Sequence, residues 1–463
     1  MADIQGLREQ IAANFKFMEP ADDPEIVILK RGRSYHTVIA QTNQCQLDMQ
    51  GPWIKVLIDQ SFYQRTEFKP NQDRLDFIPT DALDDRDNKV EGYIVGAGVA
   101  GLSAAIGIKR AGHDPIVLER TKTIAEVGAG IQLAPNNMRL LDRYDVLPEI
   151  LKYTTLLERT SIRRWKNNEE LASAPLMPGV AKLYNSPIGA IHRGDLQRTL
   201  LEHAKMDGCD IRVNSRVIKV DDNFEAGVQL KDGSWVRGDL IIAADGIKSN
   251  IRHQVAAHHK HVDRATPTGD AAYRILVSRE RMQRDPVTLD MISRNAAIRW
   301  MEKTGPHGHI VAYPIKNNNI YNMVLNPTVQ RLLSYVPENE VIEWTLNSHR
   351  PLPFWHQNKV VLVGDACHPM LPYLAQGAAQ AIEDAGVLQV VLNKSSTDIG
   401  LAIKIYEQVR KARGEAVQAS ASEVRTALHL PDGPEQRERD YKIRFAGQDK
   451  GNNPDLWADK DMQ

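Results

Sequence analysis

Hydrophobic and polar positions near residue 90 predict a strand, a helix and a second strand in close succession. The segment 89–95 is mostly apolar but is interrupted by Glu91 and Gly92. It predicts a buried parallel strand with an irregular start. Small residues at 102–108 predict a helix that packs closely on a sheet, and the apolar run 115–118 predicts the next strand. This order predicts an α/β fold.

The pattern changes further along the chain. Short strands are predicted within 210–237, and alternation of apolar and polar residues over 268–327 predicts an antiparallel sheet. From 378 to about 430 the spacing predicts a long helical region, which ends in a breaker cluster at 431–434. The sequence therefore predicts two kinds of sheet, followed by helices.

These patterns divide the chain into five segments. The segment 1–89 is an N-terminal extension of unknown role; it contains a predicted strand at 25–29 and ends in a charged linker. A small appended domain and a wrongly assigned gene start both explain it. The other segments are the first part of a nucleotide-binding domain (90–265), a substrate-binding sheet region (266–345), the second part of the nucleotide-binding domain with the long helix (346–430), and a polar C-terminal tail expected to lie over the surface (431–463).

Composition excludes several classes of function. The formal net charge is −1 with charges interspersed, which predicts neither a nucleic-acid nor an anionic-membrane partner. Three scattered cysteines predict no disulfide framework and no metal site. The N-terminus is polar, and no apolar run reaches the roughly 18 residues of a membrane span. We therefore expect a cytoplasmic protein without a membrane span.

A glycine motif follows the first predicted strand. In such a turn, Gly96 permits the bend, Gly98 lets a pyrophosphate approach the backbone, and Gly101 lets helix and strand touch. Glu119 lies at the end of the second strand, beside Arg120, where it can bind ribose hydroxyls and disfavour a 2′-phosphate. The unit therefore predicts a site for FAD or NAD.

Two further motifs each follow an apolar run. The run 240–244 ends at Asp245, and the run 360–363 ends at Gly364 and Asp365. A loop that contains His368 follows the second motif and leads into the helical region. A glycine motif alone is a weak signal, whereas three separated motifs in this order are restrictive.

The three motifs together resemble the single-component FAD-dependent aromatic monooxygenases, typified by salicylate hydroxylase and para-hydroxybenzoate hydroxylase. The resemblance covers roughly 90–460. It implies a Rossmann-like FAD-binding domain interleaved with an antiparallel-sheet substrate domain, and C-terminal helices. It also implies that NADH or NADPH reduces FAD, that O₂ adds to form a flavin C4a-hydroperoxide, and that a phenol or salicylate-like substrate is hydroxylated.

The resemblance implies roles for residues outside the glycine motif. Gly130 would approach the flavin side, Arg139 would reach the ribityl-phosphate region, and Arg193 would also contact FAD. Asp365 would accept a hydrogen bond from a ribityl hydroxyl. For Asp245, lining the pyrophosphate region and ending a strand in a plain turn are equal alternatives.

The loop after Asp365 would complete the flavin site. The N–H groups of Gly377 and Ala378 would face the flavin N1–C2=O edge, where a helix start stabilises negative charge. His368 is expected to lock the turn rather than act as a base. Candidates for orienting the substrate are the strand residues Tyr273 and Arg274, with Met370, Pro372 and Tyr373 over the flavin. For Tyr273, a packed strand aromatic is the alternative.

Three other functions are open. An epoxidase or tailoring oxygenase of a secondary metabolite would use the same fold. A flavin-binding relative without turnover is open because the chain is short around 327–329, where related enzymes carry more residues. A plain NAD-dependent dehydrogenase would not explain Gly364 and Asp365 so far downstream. The substrate, its regiochemistry, the choice of NADH or NADPH and the oligomeric state, a homodimer included, are not predicted.

Overall fold

The computed structural model describes residues 16–17, 26–31, 34–39, 89–124, 128–164, 168–301, 309–325, 341–394, 398–431 and 433–446. The chain forms two compact units, one of residues 1–84 with the last residue and one of residues 85–462. In the first unit the strands Lys16–Phe17, Ile26–Arg31 and Ser34–Ile39 form an antiparallel sheet. The strand predicted at 25–29 is therefore present, shifted slightly along the chain. All further description concerns the second unit.

A six-stranded central sheet organises the second unit. Five of its strands are parallel, and the sixth, an edge strand, is antiparallel. In spatial order the strands are Asp210–Arg212, Asp114–Leu118, Glu91–Val95, Leu240–Ala243, Val360–Leu362 and His356–Gln357. The predicted first strand begins at Glu91, and Gly92 lies buried within it. Neighbouring strands on either side of Glu91–Val95 come from very different parts of the chain, which makes this strand the switch point of the sheet.

Helices cover this sheet with small and branched side chains. The helix Val99–Arg110 follows the glycine motif and buries nine of its residues, mostly alanine, isoleucine and glycine. It packs against Gly377–Lys394 and Arg193–Met206. The other helices between residues 90 and 265 are Pro135–Arg143, Leu147–Leu151, Gly179–Tyr184 and Asn250–His258. Two three-stranded sheets complete this region: Gly130–Leu133, Gly189–His192 and Thr155–Leu156, and Val217–Val220, Gly227–Leu230 and Trp235–Arg237.

A seven-stranded sheet forms the predicted substrate region, but its boundaries differ from the prediction. Its strands in spatial order are Ile342–Ser348, Thr266–Ser278, Ile320–Leu325, His309–Ile315, Ala296–Met301, Arg159–Arg164 and Glu170–Pro175. The last two come from within 90–265, and one of them pairs in parallel with Ala296–Met301. The sheet is therefore mixed, and its strands come from separate parts of the chain. Two parallel strands need a long connection, so the parallel partner of Ala296–Met301 comes from a distant segment. The helices Arg279–Met282 and Pro286–Ser293 cover one of its faces.

The C-terminal region consists of three helices. The predicted long helix is divided into Gly377–Lys394 and Ile399–Leu428, and Asp398 caps the second by accepting from the Leu401 N–H. The tail predicted to lie over the surface instead forms the helix Pro434–Ala446, in which Gln436 and Asp440 are buried. Asp440 pairs with Arg164 at 2.9 Å, so the tail is anchored to the seven-stranded sheet. No helix in the described parts of the chain is long and apolar enough to cross a membrane.

Close contact between the first central strand and its helix depends on Gly101. A Cβ atom at this position would lie 1.9 Å from the carbonyl oxygen of Gly96. The oxygen belongs to the backbone and the backbone also fixes the position of Cβ, so no side-chain rotation relieves the clash. The third glycine of the motif therefore fixes how closely the helix can approach the turn, as predicted.

We expect Gly101→Ala to destabilise the second unit by about 3 kcal/mol or more, since overpacking against rigid backbone is costly. Gly92→Ala is the matched control, because a Cβ atom there meets nothing within 4 Å. Urea unfolding followed by circular dichroism measures both. Equal stabilities for the two variants would contradict the packing argument.

Candidate active site at the junction of the two sheets

Four predicted motifs converge because they follow four adjacent strands. Glu119 follows Asp114–Leu118, the glycine turn follows Glu91–Val95, Asp245 follows Leu240–Ala243, and Asp365 follows Val360–Leu362. These strands are parallel neighbours, so their carboxyl ends meet at one edge. Adjacent strands lie about 4.8 Å apart, so the four ends form a row suited to an extended ligand. The crevice at such an edge is where α/β sheets bind ligands.

At one end of this row the glycine turn and Glu119 are in direct contact. The Ala97 N–H donates to Oε2 of Glu119 at 2.9 Å, and Oε1 accepts from the Thr121 N–H at 2.9 Å. Oε1 also accepts from the Thr121 hydroxyl at 2.9 Å. A carboxylate has about four lone-pair sites, so Glu119 retains capacity to accept from one further hydroxyl. Arg120 is exposed beside it.

The residues of this row fit an FAD molecule. A Cβ atom on Gly98 would meet nothing within 4 Å, which leaves open space at the start of a 12-residue helix. The backbone N–H groups of that helix start favour phosphate. Asp245 has a buried Oδ1 without a hydrogen-bond partner among the described residues, and burial raises the pKa of its carboxyl. Asp365 is exposed, yet desolvation by the surrounding protein raises its pKa, which His368 and Arg193 oppose.

Asp384 fixes the loop 364–376 from one side. Its Oδ2 accepts from the Gly364 N–H at 2.8 Å and from Nε2 of His368 at 2.7 Å. Its Oδ1 accepts from Nε of Arg410 at 2.8 Å. His368 is buried and its ring lies 5.1 Å from that of Trp355. These contacts agree with the expected turn-locking role of His368.

Arg252 fixes the same loop from the other side. Its side chain is fully buried and donates through Nη1 to the carbonyl oxygens of Cys367, at 2.7 Å, and Ala366, at 3.3 Å. Its Nε donates to Asp263 at 2.8 Å. Because this buried charge is hydrogen-bonded to two carbonyl groups of the loop, the loop backbone has little conformational freedom.

The charges beneath the loop neutralise one another. Burial alone would raise the pKa of Asp384, but His368 and Arg410 outweigh it and lower the pKa to about 2. Likewise Arg410 and Arg413 lower the pKa of Glu383 to about 2 against the effect of burial. Glu383 also accepts from Asn136 at 2.7 Å. Glu383 and Asp384 therefore support the helix rather than face a substrate.

The segment Gly130–Leu133, called the flavin segment because Gly130 is predicted to approach the flavin, contacts the seven-stranded sheet through Gly130. Its N–H donates to Oδ1 of Asn322 at 2.7 Å, and a Cβ atom on Gly130 would lie 2.7 Å from the Tyr313 ring. Arg193 begins the helix that follows the paired strand, and its side chain packs beside Gly128. Glycine is favoured at position 130, because a Cβ atom there would clash with the side chains of Asn322 and Tyr313.

Tyr273 and Arg274 lie on opposite faces of their strand, as successive strand residues must. Tyr273 packs with the cluster around Ile275 and Met323, on the face covered by the helices after Ser278. Arg274 lies on the other face together with Tyr313. Burial lowers the pKa of Arg274, and Tyr313 partly opposes this effect. The packing of Tyr273 agrees with the packed aromatic given as its alternative, while Arg274 lies on the face that contacts the flavin segment. The predicted roles of the two residues in orienting the substrate stay predictions.

Arg274 is a largely desolvated cation. Burial lowers the pKa of its guanidinium, and the like charge of Arg193 lowers it further. Its Nε has no hydrogen-bond partner among the described residues, and its guanidinium carbon lies 5.4 Å from the centre of the Trp344 ring. Such a group favours an anion from outside the protein.

The three residues predicted to contact the substrate all belong to the loop 364–376, but they differ in their exposure to solvent. Tyr373 is 4% exposed, and its hydroxyl donates to Asp270 at 2.8 Å, so it joins the loop to the seven-stranded sheet. Asp270 also pairs with Arg425 of the long helix. Met370 is half-buried and Pro372 is exposed. Tyr373 therefore supports the wall of the site, while the predicted contacts of Met370 and Pro372 stay predictions.

Three other predicted residues lie at the same junction. Gly377 and Ala378 begin the helix Gly377–Lys394, as expected. Arg139 lies on the helix Pro135–Arg143 and donates to the Tyr184 carbonyl at 3.1 Å. Its contact with FAD stays a prediction.

Sequence reasoning missed the residues that hold the site together. Arg252, Asp270, Asn322 and Trp344 act across more than 100 positions of sequence or through strand pairing, and Arg410 acts between two helices across 26 positions. Arg252 lies shortly after the Asp245 motif, which was the one available signal. The segment around 327–329, where the chain was judged short, lies outside the described residues. Among the described residues no group of three or more His, Cys, Asp or Glu is placed to hold a metal ion.

Comparison with known proteins agrees with this geometry. A family model described as FAD binding domain matches residues 89–421. The FAD-dependent monooxygenase atnJ of Arthrinium sp is 36% identical over 395 residues, 78% of this chain and 90% of that protein. The 3-hydroxybenzoate 6-hydroxylase 1 of Aquipseudomonas alcaligenes is 33% identical over 357 residues, 70% of this chain and 86% of that protein. Klebsiella pneumoniae HpxO complexed with FAD and uric acid superposes with a TM-score of 0.67 at 22% identity, over 77% and 93% of the chains, which supports the fold.

The chain belongs to the FAD-binding-domain family of flavoprotein monooxygenases. It is an FAD-dependent monooxygenase of the aromatic hydroxylase type. The predicted family, fold class and enzyme class are confirmed.

We expect Gly98→Ala to fold normally but to bind FAD at least about tenfold more weakly, a loss of about 1.4 kcal/mol. The added methyl group would occupy the open space at the helix start. Gly179→Ala is the control, because a Cβ atom there also meets nothing within 4 Å but lies away from the glycine turn. Flavin fluorescence titration measures both affinities. Unchanged FAD affinity in Gly98→Ala would contradict the placement of the pyrophosphate.

We expect Asp384→Asn to cost about 3–5 kcal/mol of stability at pH 7, because it leaves Arg410 buried without its main partner. The folded pKa of Asp384, about 2, lies below its ordinary value of 3.8. Its stabilising effect is therefore present above pH 3.8 and is lost as pH falls towards 2. The difference between wild type and variant should narrow over that range in urea unfolding. Glu438→Gln, at an exposed pair with Lys442, should show no difference; a constant gap for Asp384→Asn would contradict the ionised pair.

Proposed function

We propose that this enzyme uses NADH or NADPH and O₂ to hydroxylate a small phenol or a salicylate-like aromatic acid, and that the acid binds through its carboxylate. Bound FAD would supply the activation of oxygen, and the chain would bind, orient and shield the ring. Relatives at 33% and 31% identity are named 3-hydroxybenzoate 6-hydroxylase and 3-amino-4-hydroxybenzoate 2-monooxygenase, which supports this substrate class.

The observation that carries the proposal is the environment of Arg274. Its guanidinium is desolvated, faces the flavin segment, and lies near the like-charged Arg193. An arginine fork matches the two oxygens of a carboxylate. The site therefore favours an aromatic acid over a neutral ring.

The surrounding groups would orient that ring and exclude water. Gly130 and Tyr313 close the flavin-side end, while Tyr373, through Asp270, keeps the loop 364–376 against the seven-stranded sheet. Hydrogen bonds to Gly364 and Cys367 keep the loop backbone fixed beside Asp365. A larger secondary-metabolite substrate is the alternative. Which of the two kinds of compound the enzyme hydroxylates decides between them.

The first test is the visible spectrum of the purified protein, followed by NADH or NADPH oxidation in air with salicylate, 3-hydroxybenzoate and phenol. A flavin spectrum, with coenzyme oxidation stimulated by an aromatic acid and a hydroxylated product, is expected. Folded protein that cannot take up FAD, or a flavin that responds to none of these compounds, would contradict the proposal.

We expect Arg274→Met to keep FAD but to weaken salicylate binding at least about tenfold, since hydrogen bonds to charged groups contribute about 1.5–3 kcal/mol. Binding of neutral phenol should change little. The perturbation of the flavin spectrum on titration measures both affinities. Arg216→Met, at an exposed arginine away from the junction, is the control. Equal salicylate affinity in Arg274→Met and wild type would exclude Arg274 as the anion site.

A further inference from the structure

An exposed tryptophan lies next to Arg274 on the edge of the seven-stranded sheet. Trp344 belongs to the edge strand Ile342–Ser348 and is 38% exposed. In the strand register it lies opposite Ala272, two residues before Arg274 and therefore on the same face. The small side chain of Ala272 leaves room for the indole ring to reach towards the guanidinium group.

The contact between Trp344 and Arg274 has the geometry of a cation–π interaction. The guanidinium carbon lies 5.4 Å from the ring centre, within the range in which the face of a tryptophan attracts a cation. No described acidic residue pairs with Arg274, and its Nε has no hydrogen-bond partner there. The indole is therefore a main attractive contact for this charge within the described part of the chain.

The contact with Trp344 affects the position of the Arg274 side chain. Arg193, on the flavin side, repels the guanidinium, and desolvation also disfavours its charge inside the junction. Neither effect fixes the position of this long, flexible side chain. Trp344 lies on the neighbouring strand, and its ring attracts the guanidinium. The contact therefore holds the cation on the face of the sheet that it shares with Tyr313.

We propose that Trp344 is a positioning residue that determines the affinity of the enzyme for anionic aromatic substrates by holding Arg274 in place. The proposal rests on the proposed function, in which Arg274 binds the anion. Trp344 acts through Arg274, so its effect belongs to substrate binding. FAD binding and the rate at saturating substrate do not depend on it.

The chain supplies a matched control for this residue. Trp235 is also 38% exposed, and its ring has Lys219 and Arg237 each at 5.4 Å. It lies on the small sheet with Val217–Val220 and Gly227–Leu230, away from the seven-stranded sheet. Removing it tests the general effect of losing an exposed tryptophan with a cation on its face.

The experiment compares Trp344→Leu, Trp344→Gln, Trp344→Phe and Trp235→Leu in the FAD-loaded enzyme. We expect the Leu and Gln variants to raise Kd and KM for salicylate about three- to tenfold, in line with a partly desolvated cation–π contact. We expect kcat to change less than about twofold. Trp344→Phe, which keeps an aromatic face, and Trp235→Leu should both remain within about twofold of wild type. Phenol, the neutral probe, should bind all variants equally.

The outcomes separate this inference from the function beneath it. If Arg274→Met loses salicylate while Trp344→Leu and Trp344→Gln bind it like wild type, the positioning role is overturned and the anion site stands. Equal losses for salicylate and phenol would also overturn it, because Trp344 would then be a general wall of the site. If Arg274→Met binds salicylate like wild type, or if wild type binds no aromatic acid, the proposed function fails first.

Discussion

Parallel pairing of Leu240–Ala243 between Glu91–Val95 and Val360–Leu362 is the constraint on which the rest of the site depends. It places the glycine turn, Asp245 and Asp365 side by side although they are separated by more than 100 residues at each step. Each motif follows a strand end, so register alone decides which backbone groups reach the crevice. The remaining structure keeps this edge open on one side and closes it on the other with the loop 364–376.

That loop is fixed by buried charge rather than by apolar packing alone. Arg252 holds its carbonyl oxygens, while Asp384 holds the Gly364 N–H and is itself neutralised by Arg410. Buried ion pairs add little net stability, because desolvation cancels most of their attraction. Their directional hydrogen bonds nevertheless define one backbone conformation. The predicted role of the loop, which is to present N–H groups to FAD, requires that definition more than it requires stability.

The fold and the cofactor site could largely be predicted from the sequence, because both depend on local signals. A glycine turn between a strand and a helix is encoded within a few residues, and Gly98 and Gly101 lie as their spacing predicted. Successive residues of a strand point to opposite faces of the sheet, so the sequence alone was sufficient to place Tyr273 and Arg274 on different faces. The pairing of Arg159–Arg164 with Ala296–Met301, and the anchoring of the tail by Asp440, depend on long-range contacts that no local pattern encodes.

The two sheets meet with like charges facing each other, and this decides what kind of molecule belongs between them. Arg193 comes from the helix side and Arg274 from the seven-stranded sheet, and burial together with the charge of Arg193 lowers the pKa of Arg274. Within the described residues, the carboxylate of Asp270 pairs with Arg425, and desolvation raises the pKa of the exposed Asp365. An anion placed at the junction would lower the repulsion and join the two parts. In the proposed function, charge selectivity is therefore a property of the junction, because it depends on charges from both parts of the unit.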